Sequence, residues 1–76
     1  MSEGQVLVVN KEFDFVVINL GENDGLKIGS KLQVLKDEQV LGTVEVEKIY
    51  GNMSAATIMP DAQKDKIKEG CTVRPI

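Results

Sequence analysis

Apolar residues along the chain fall into short runs separated by Gly, Asn and Asp. The runs are rich in β-branched side chains, which is typical of β-strands. We predict six strands, which cover residues 4–10, 13–20, 31–36, 39–50, 53–59 and 71–74. The first two runs are almost continuous in apolar residues, so both faces of these strands are expected to be covered.

The fourth predicted strand contains a change of phase. Val44 and Val46 alternate with polar neighbours, but the next apolar residue, Ile49, is displaced by one position. A β-bulge or sharp bend near Glu47 and Lys48 would restore the phase. Long bent strands turn the corners of small barrels, so we expect an all-β, closed or nearly closed, six-stranded β-barrel.

The longest predicted connections are residues 21–30 and 61–69. The first contains three glycines and is expected to be a loop whose Leu26 and Ile28 plug one end of the core. The second is the one candidate for a helix, with Asp61 as its cap and Gly70 beyond its end. Because it is so short, a single helical turn or a loop is an equal alternative.

A weak internal repeat bears on the type of barrel. Gly4–Val8 resembles Gly42–Val46, and Leu26–Leu32 resembles Ile67–Val73 in its placement of Gly and apolar residues. Two half-barrel units related by a pseudo-twofold axis would produce such a repeat. SH3-like, OB-like and pseudo-twofold barrels all stay open, because the sequence does not show the order of the strands.

Composition narrows the class of protein. The chain has 76 residues, 42% hydrophobic and 28% charged, which predicts one globular domain over 1–76. The net charge of −3 disfavours nucleic acid as a partner. No apolar run approaches the length of a membrane span, and Met1–Gly4 does not resemble a signal peptide. We therefore expect no membrane insertion and no targeting signal within this chain.

Few residues offer catalytic or metal-binding chemistry. The chain has no His, and no Ser, Thr or Cys lies in a recognisable nucleophile motif. We interpret Cys71 as a small buried residue, and the carboxylate pairs Asp37/Glu38 and Glu45/Glu47 as solvated. Glu22–Gly25 carries oxygen ligands but lacks a calcium-loop pattern, so turn formation is the better interpretation. The sequence predicts no enzyme, no cofactor, and no catalytic, cofactor-binding or metal residues.

The most specific motifs are Phe15-Val16-Val17-Ile18-Asn19-Leu20-Gly21, followed by a loop with Gly25 and Gly29, and Ser54-Ala55-Ala56-Thr57-Ile58. Over 4–73 the chain resembles the C-terminal β-domain of bacterial envelope proteins, such as that of the flagellar assembly protein T. The resemblance implies a structural or interaction module excised from a longer, envelope-associated or periplasmic protein, with no catalytic motif. The export signal, coiled coil and flagellar partner domain of such proteins are not found in this sequence.

Protein binding is the function class that remains. Val8 or Val9, Phe13 and Leu41 are candidates for exposed apolar side chains, and an apolar strand at a sheet edge would pair with a partner or a second copy. The alternative function is a small stand-alone barrel that binds nucleic acid or the ribosome. Its basic residues would be Lys64, Lys66 and Lys68, a patch interrupted by Asp65 and Glu69.

Overall fold

The computed structural model describes residues 3–76. Met1 and Ser2, which belong to the segment predicted not to be a signal peptide, lie outside the described residues. The strands are β1 (Gly4–Asn10), β2 (Phe15–Ile18), β3 (Lys31–Lys36), β4 (Gln39–Ile49), β5 (Ser54–Ile58) and β6 (Thr72–Pro75). Two short 3-10 turns, Glu22–Asp24 and Lys64–Lys66, precede β3 and β6 respectively.

The strands form a closed antiparallel barrel in the order β1-β2-β5-β4-β3-β6, with β6 paired back to β1. This confirms the predicted all-β, six-stranded barrel. Of the alternatives for 61–69, only a 3-10 turn forms. The reason lies in its backbone hydrogen bonds, because the Gln63 N–H donates to the Leu41 carbonyl oxygen on β4 (2.7 Å) and not to a helical neighbour.

The barrel interior holds a single apolar cluster. Its residues come from all six strands and from both long connections: Val6, Val16, Ile18, Leu20, Leu26, Leu32, Val34, Leu41, Val44, Val46, Ala56, Ile58, Ile67, Cys71 and Val73. Leu26 is buried in this cluster, in agreement with its predicted place in the core, but Ile28 is 69% exposed. Ile28 lies within a tight turn, in which the Ser30 N–H donates to the Lys27 carbonyl oxygen (2.9 Å) and Gly29 has φ +92°. That turn directs Ile28 to the surface.

Three β-bulges shape the barrel wall. One lies between β3 and β4, where Leu41 is the extra residue between the pairs Val34–Gly42 and Leu35–Val40. The other two lie in the β4–β5 and β1–β2 hairpins. One interrupts the β4–β5 pairing between Val46 and Lys48, which confirms the bulge predicted near Glu47 and Lys48. The other interrupts the β1–β2 pairing between Val6 and Val8. Leu7 and Val8 are 44% and 46% exposed, so the expectation that β1 is covered on both faces was wrong.

The two halves of the chain have the same architecture. Each consists of two strands, a 3-10 turn and a third strand, and exchanging β1, β2, β3 with β4, β5, β6 leaves the strand order of the barrel unchanged. The strand pairs β2–β5 and β3–β6 are symmetric about Val17–Ala55 and Gln33–Arg74 respectively. A pseudo-twofold axis therefore passes through the barrel wall at these two residue pairs. Of the three barrel types that the sequence left open, this symmetry favours the pseudo-twofold barrel.

Of the two segment pairs in the sequence repeat, one is structurally equivalent and the other is out of register. The Gly29 N–H donates to the Val46 carbonyl oxygen (2.8 Å), and the Gly70 N–H donates to the Val6 carbonyl oxygen (2.8 Å), so Leu26–Leu32 and Ile67–Val73 are equivalent as expected. The same bonds make Val6 equivalent to Val46. The match of Gly4–Val8 with Gly42–Val46 was therefore wrong by two residues, because the bulges, not the glycines, define the register of β1 and β4.

The two halves are interlocked through their third strands. β3 pairs with β4 and β6, both in the second half, while β6 pairs with β1 and β3, both in the first half. Within one half, only the hairpin β1–β2 or β4–β5 forms. Each half therefore requires the other to complete the sheet, since an isolated two-stranded hairpin is marginal in water.

Candidate protein-binding face

An apolar row crosses the outside of the barrel where β1, β2 and β5 are neighbours. Val16 and Ile18 of β2 are fully buried, so the alternate residues Phe15 and Val17 lie on the outer side of the strand. Val17 is paired with Val8 on one side and with Ala55 on the other. These cross-strand pairs place apolar side chains next to one another on one outer surface.

Phe13 extends this row from the β1–β2 turn. The Asn10 side-chain oxygen accepts a hydrogen bond from the Phe13 N–H (2.9 Å), which ends β1 and starts the turn. Asp14 follows with φ +57°, and its carbonyl oxygen accepts from the Ile58 N–H (2.7 Å). Phe13, which was predicted in β2, therefore lies in the turn and is 71% exposed.

An ion pair fixes the turn that carries Phe13. The Asp14 carboxylate lies 2.6 Å from the Lys64 ammonium of the second 3-10 turn. Both side chains are partly exposed, so the pair is expected to add little to global stability. Its effect is local, because it ties the β1–β2 turn to the opposite half of the barrel.

A groove of about 310 Å³ lies between Phe13 and β4. It is lined by Phe13, Phe15, Glu47, Lys48, Ala55, Ala56 and Thr57. Its apolar lining suits an aliphatic or aromatic side chain, while Glu47 and Lys48 offer one charge of each sign at its border. We refer to Val8, Phe13, Phe15, Val17 and Ala55 together as the Phe13 face.

Of the apolar residues predicted to be exposed, some lie on the surface and others lie in or against the core. Phe13 and Val8 are exposed, whereas Val9 packs partly against the core and Leu41 is only 2% exposed. The prediction for Leu41 was wrong because residues 59–63 cross over β4 at this point. Ala62 lies so close to Gly42 that a side chain at position 42 would collide with it.

The sheet edge expected from the sequence is also corrected. Within residues 3–76 each of the six strands has a neighbour on both sides, because the barrel is closed. An added strand from a partner has no full-length edge to join. β1 is paired with β6 only near its start, at Gly4 and Gln5, so a short stretch at its end is the part of this edge that stays open. We therefore look for a protein-binding surface among the side chains on the outside of the barrel.

Polar side chains of the acidic loop after β2 form hydrogen bonds within the protein. The Asp24 carboxylate accepts a hydrogen bond from the Gly21 N–H (2.9 Å), and the Asn23 side-chain amide donates to the Asn52 side-chain oxygen (2.7 Å). The first bond closes the loop on itself, in agreement with turn formation. The second holds the loop against the β4–β5 turn, together with the bond from the Glu22 N–H to the Tyr50 carbonyl oxygen (2.8 Å). Within residues 3–76, no group of three or more acidic or Cys side chains is arranged to hold a metal ion.

The remaining candidate residues are dispersed. Cys71 is buried, as predicted, and its Sγ lies 3.4 Å from the Lys68 backbone nitrogen, which donates to it. Lys64 pairs with Asp14, so the predicted basic patch is divided. Lys66 and Lys68 line a depression that also contains Asp37 and Asp65, which gives it mixed charge.

Some of the exposed apolar residues were not predicted from the sequence. Leu7 is exposed because of the β1 bulge, and Tyr50 and Met53 flank the β4–β5 turn. β1 is apolar at every position from 6 to 9, so it shows no change of phase that would reveal a bulge. The equivalence of β1 with β4 signals a bulge in β1, but the register of the sequence repeat would place it at Val9 and Asn10, two residues beyond its position in the structure.

Comparison with known proteins assigns no family. No family model and no curated protein matches this chain. In the part of the chain that the structure describes, no helix has the length and apolar character needed to cross a bilayer.

Proposed function

We propose that this chain is a non-enzymatic protein-interaction module that binds a partner protein through the Phe13 face. The observation that carries the proposal is the exposure of Phe13 on a turn fixed by Asn10 and by the Asp14–Lys64 ion pair. Aromatic side chains bury a large area on binding and lose few rotameric states, which is why they dominate the energetics of protein interfaces. An ordered turn further lowers the entropic cost of association.

The partner is expected to present an apolar side chain to the groove beside Phe13. A basic and an acidic group on the partner would complement Glu47 and Lys48 at its border. The Phe13 face alone is small, so a single contact of this kind predicts a weak or transient complex. Such binding suits a module that is repeated or tethered within a larger assembly.

We further propose that the module is the terminal domain of a larger bacterial envelope-associated protein. The support is the resemblance over 4–73, whose motif positions are mostly Gly and apolar residues and therefore concern architecture. An antibody against the barrel, applied to fractionated source cells, tests this part of the proposal. A band well above 8.3 kDa in the envelope or periplasmic fraction supports it, and a band near that mass in the cytosol contradicts it.

Binding through the Phe13 face is tested by two surface variants. Their positions lie at the two points where the pseudo-twofold axis passes through the barrel wall. Val17 and Gln33 are both half-buried, outward-facing residues, and they lie where the pseudo-axis leaves opposite sides of the barrel. Immobilised wild-type domain, Val17→Lys and Gln33→Lys are exposed to extract of the source cells. We expect proteins that are retained by wild type and Gln33→Lys but lost with Val17→Lys. Equal retention by all three would overturn the assignment of this face.

A further inference from the structure

The turn between β3 and β4 joins the two halves of the barrel, and its backbone is strained. Asp37 and Glu38 have φ +50° and +70°, the left-handed region that Asn and Gly adopt most easily. The turn is only two residues long, because Lys36 is already paired with Gln39. Opening it would release the strain, which lies mainly at Glu38 because Asp adopts the left-handed region more readily than Glu. It would also join β3 and β4 into one continuous strand.

Almost all contacts between the two halves are made by paired strands and not by this turn. Four strand pairs connect the halves, namely β2–β5, β3–β4, β3–β6 and β1–β6. A second copy of the chain carries the same strands in the same register. When the turn opens, the first half of one chain can therefore pair with the second half of another without changing any inter-half contact except the turn itself.

We propose that this chain binds a second copy of itself by exchanging half-barrels at Asp37-Glu38. The product is a dimer of two barrels, each built from residues up to 36 of one chain and from 39 onwards of the other. Strained, short hinge turns favour this kind of exchange. The proposal does not depend on the Phe13 face, which lies on β1, β2 and β5 and remains on the outside of both barrels.

One electrostatic effect opposes exchange. In the dimer, the opened segments of the two chains run antiparallel, so Asp37 of each chain lies beside the partner's Glu38. Like charges placed across two strands repel one another. We therefore expect a higher dimer yield at high salt, where this repulsion is screened.

The decisive test is a disulfide that only exchange can form. Lys31 on β3 is paired with Glu45 on β4. Chains carrying Lys31→Cys and chains carrying Glu45→Cys, both with Cys71→Ser, are refolded together and oxidised. Exchange brings the two thiols together between chains, whereas closed monomers meet only by collision.

A collision control uses Lys31→Cys with Glu12→Cys, since Glu12 is exposed in the β1–β2 turn and is not paired with β3. We expect the Lys31/Glu45 pair to give about tenfold more cross-linked dimer than this control, because paired strands hold the thiols at high effective concentration. Equal yields from the two pairs would overturn the proposal.

Variants of the hinge complete the test. Glu38→Gly removes the strain and should lower the dimer yield several-fold relative to Glu38→Gln, which removes the same charge but keeps a side chain at φ +70°. Deletion of residues 37–38 should give a dimer by native mass spectrometry, and a folded monomer from this deletion would refute exchange. Val17→Lys should leave the yield unchanged; a loss of dimer with this variant would assign the dimer to the Phe13 face and contradict exchange.

Discussion

Ser30 and Cys71 occupy the same position in the two halves of the barrel. The Ser30 Oγ accepts a hydrogen bond from the Lys27 N–H (2.9 Å), and the Cys71 Sγ accepts one from the Lys68 N–H (3.4 Å). In each case the residue just before, Gly29 or Gly70, has φ near +90°. The residue found at this position in one half therefore indicates which side chain the equivalent position in the other half can hold.

This equivalence predicts that Cys71→Ser is better tolerated than Cys71→Ala. Serine keeps an acceptor for the Lys68 N–H, as Ser30 does for Lys27, whereas Cys71→Ala leaves that donor without its partner. We expect the alanine variant to be less stable than the serine variant by about 1 kcal/mol. Urea unfolding of both variants measures the difference, and a more stable alanine variant would show that the thiol acts only as an apolar core residue.

Gly21→Ala should be strongly destabilising. A methyl group on Gly21 would collide with the carbonyl oxygens of Tyr50 and Gly51, and backbone atoms move less readily than side chains. We expect a loss of about 2 kcal/mol or more in the free energy of unfolding. Gly51→Ala is the matched control, because its nearest neighbour is the Asn23 amide nitrogen at 3.5 Å; equal losses would indicate that close packing at Gly21 is not the cause.

Glu38→Gly should stabilise the monomeric barrel. Glycine adopts φ +70° without a steric penalty, and Asp-Gly is a favoured sequence for this type of turn. We expect a gain of about 1 kcal/mol, partly offset by the greater freedom of glycine in the unfolded chain. Thermal unfolding at low protein concentration measures this gain. Glu38→Gln serves as the control for loss of charge, and a Glu38→Gly variant no more stable than Glu38→Gln would contradict strain in the turn.

Phe13→Ala should leave stability almost unchanged. Its side chain is 71% exposed, so truncation removes little buried area, and the expected change is within about 0.5 kcal/mol. Val16→Ala, on the buried side of the neighbouring strand, should cost about 2 kcal/mol. Chemical unfolding of the two variants compares them. A large loss with Phe13→Ala would mean that Phe13 supports the fold and is not held out for a partner.

The sequence predicted the barrel well because small-barrel strands leave strong local signals. Val44, Val46 and Ile49 carry a visible change of phase, and the bulge lies where that change predicts it. The face of β1 was not predictable in the same way, because an apolar run has no phase. The burial of Leu41 depends on residues 59–63, which lie far from it in sequence. The surface that could bind a partner was therefore only partly predicted, through Phe13 and Val8.

The most direct test of the proposed binding face is site-specific photocrosslinking in the cells that make the protein. A photoreactive phenylalanine analogue is placed at Phe13 and, as the control, at Gln39, which is also exposed but lies at the β3–β4 turn. We predict a discrete adduct with a different protein from position 13, no adduct with a different protein from position 39, and loss of the position-13 adduct when Val17→Lys is added. An adduct at position 39 with a second copy of this chain would report half-barrel exchange, because Gln39 is paired with Lys36 across the hinge turn. The absence of an adduct with a different protein at position 13, or an equal adduct with a different protein at position 39, would contradict a partner bound to the Phe13 face.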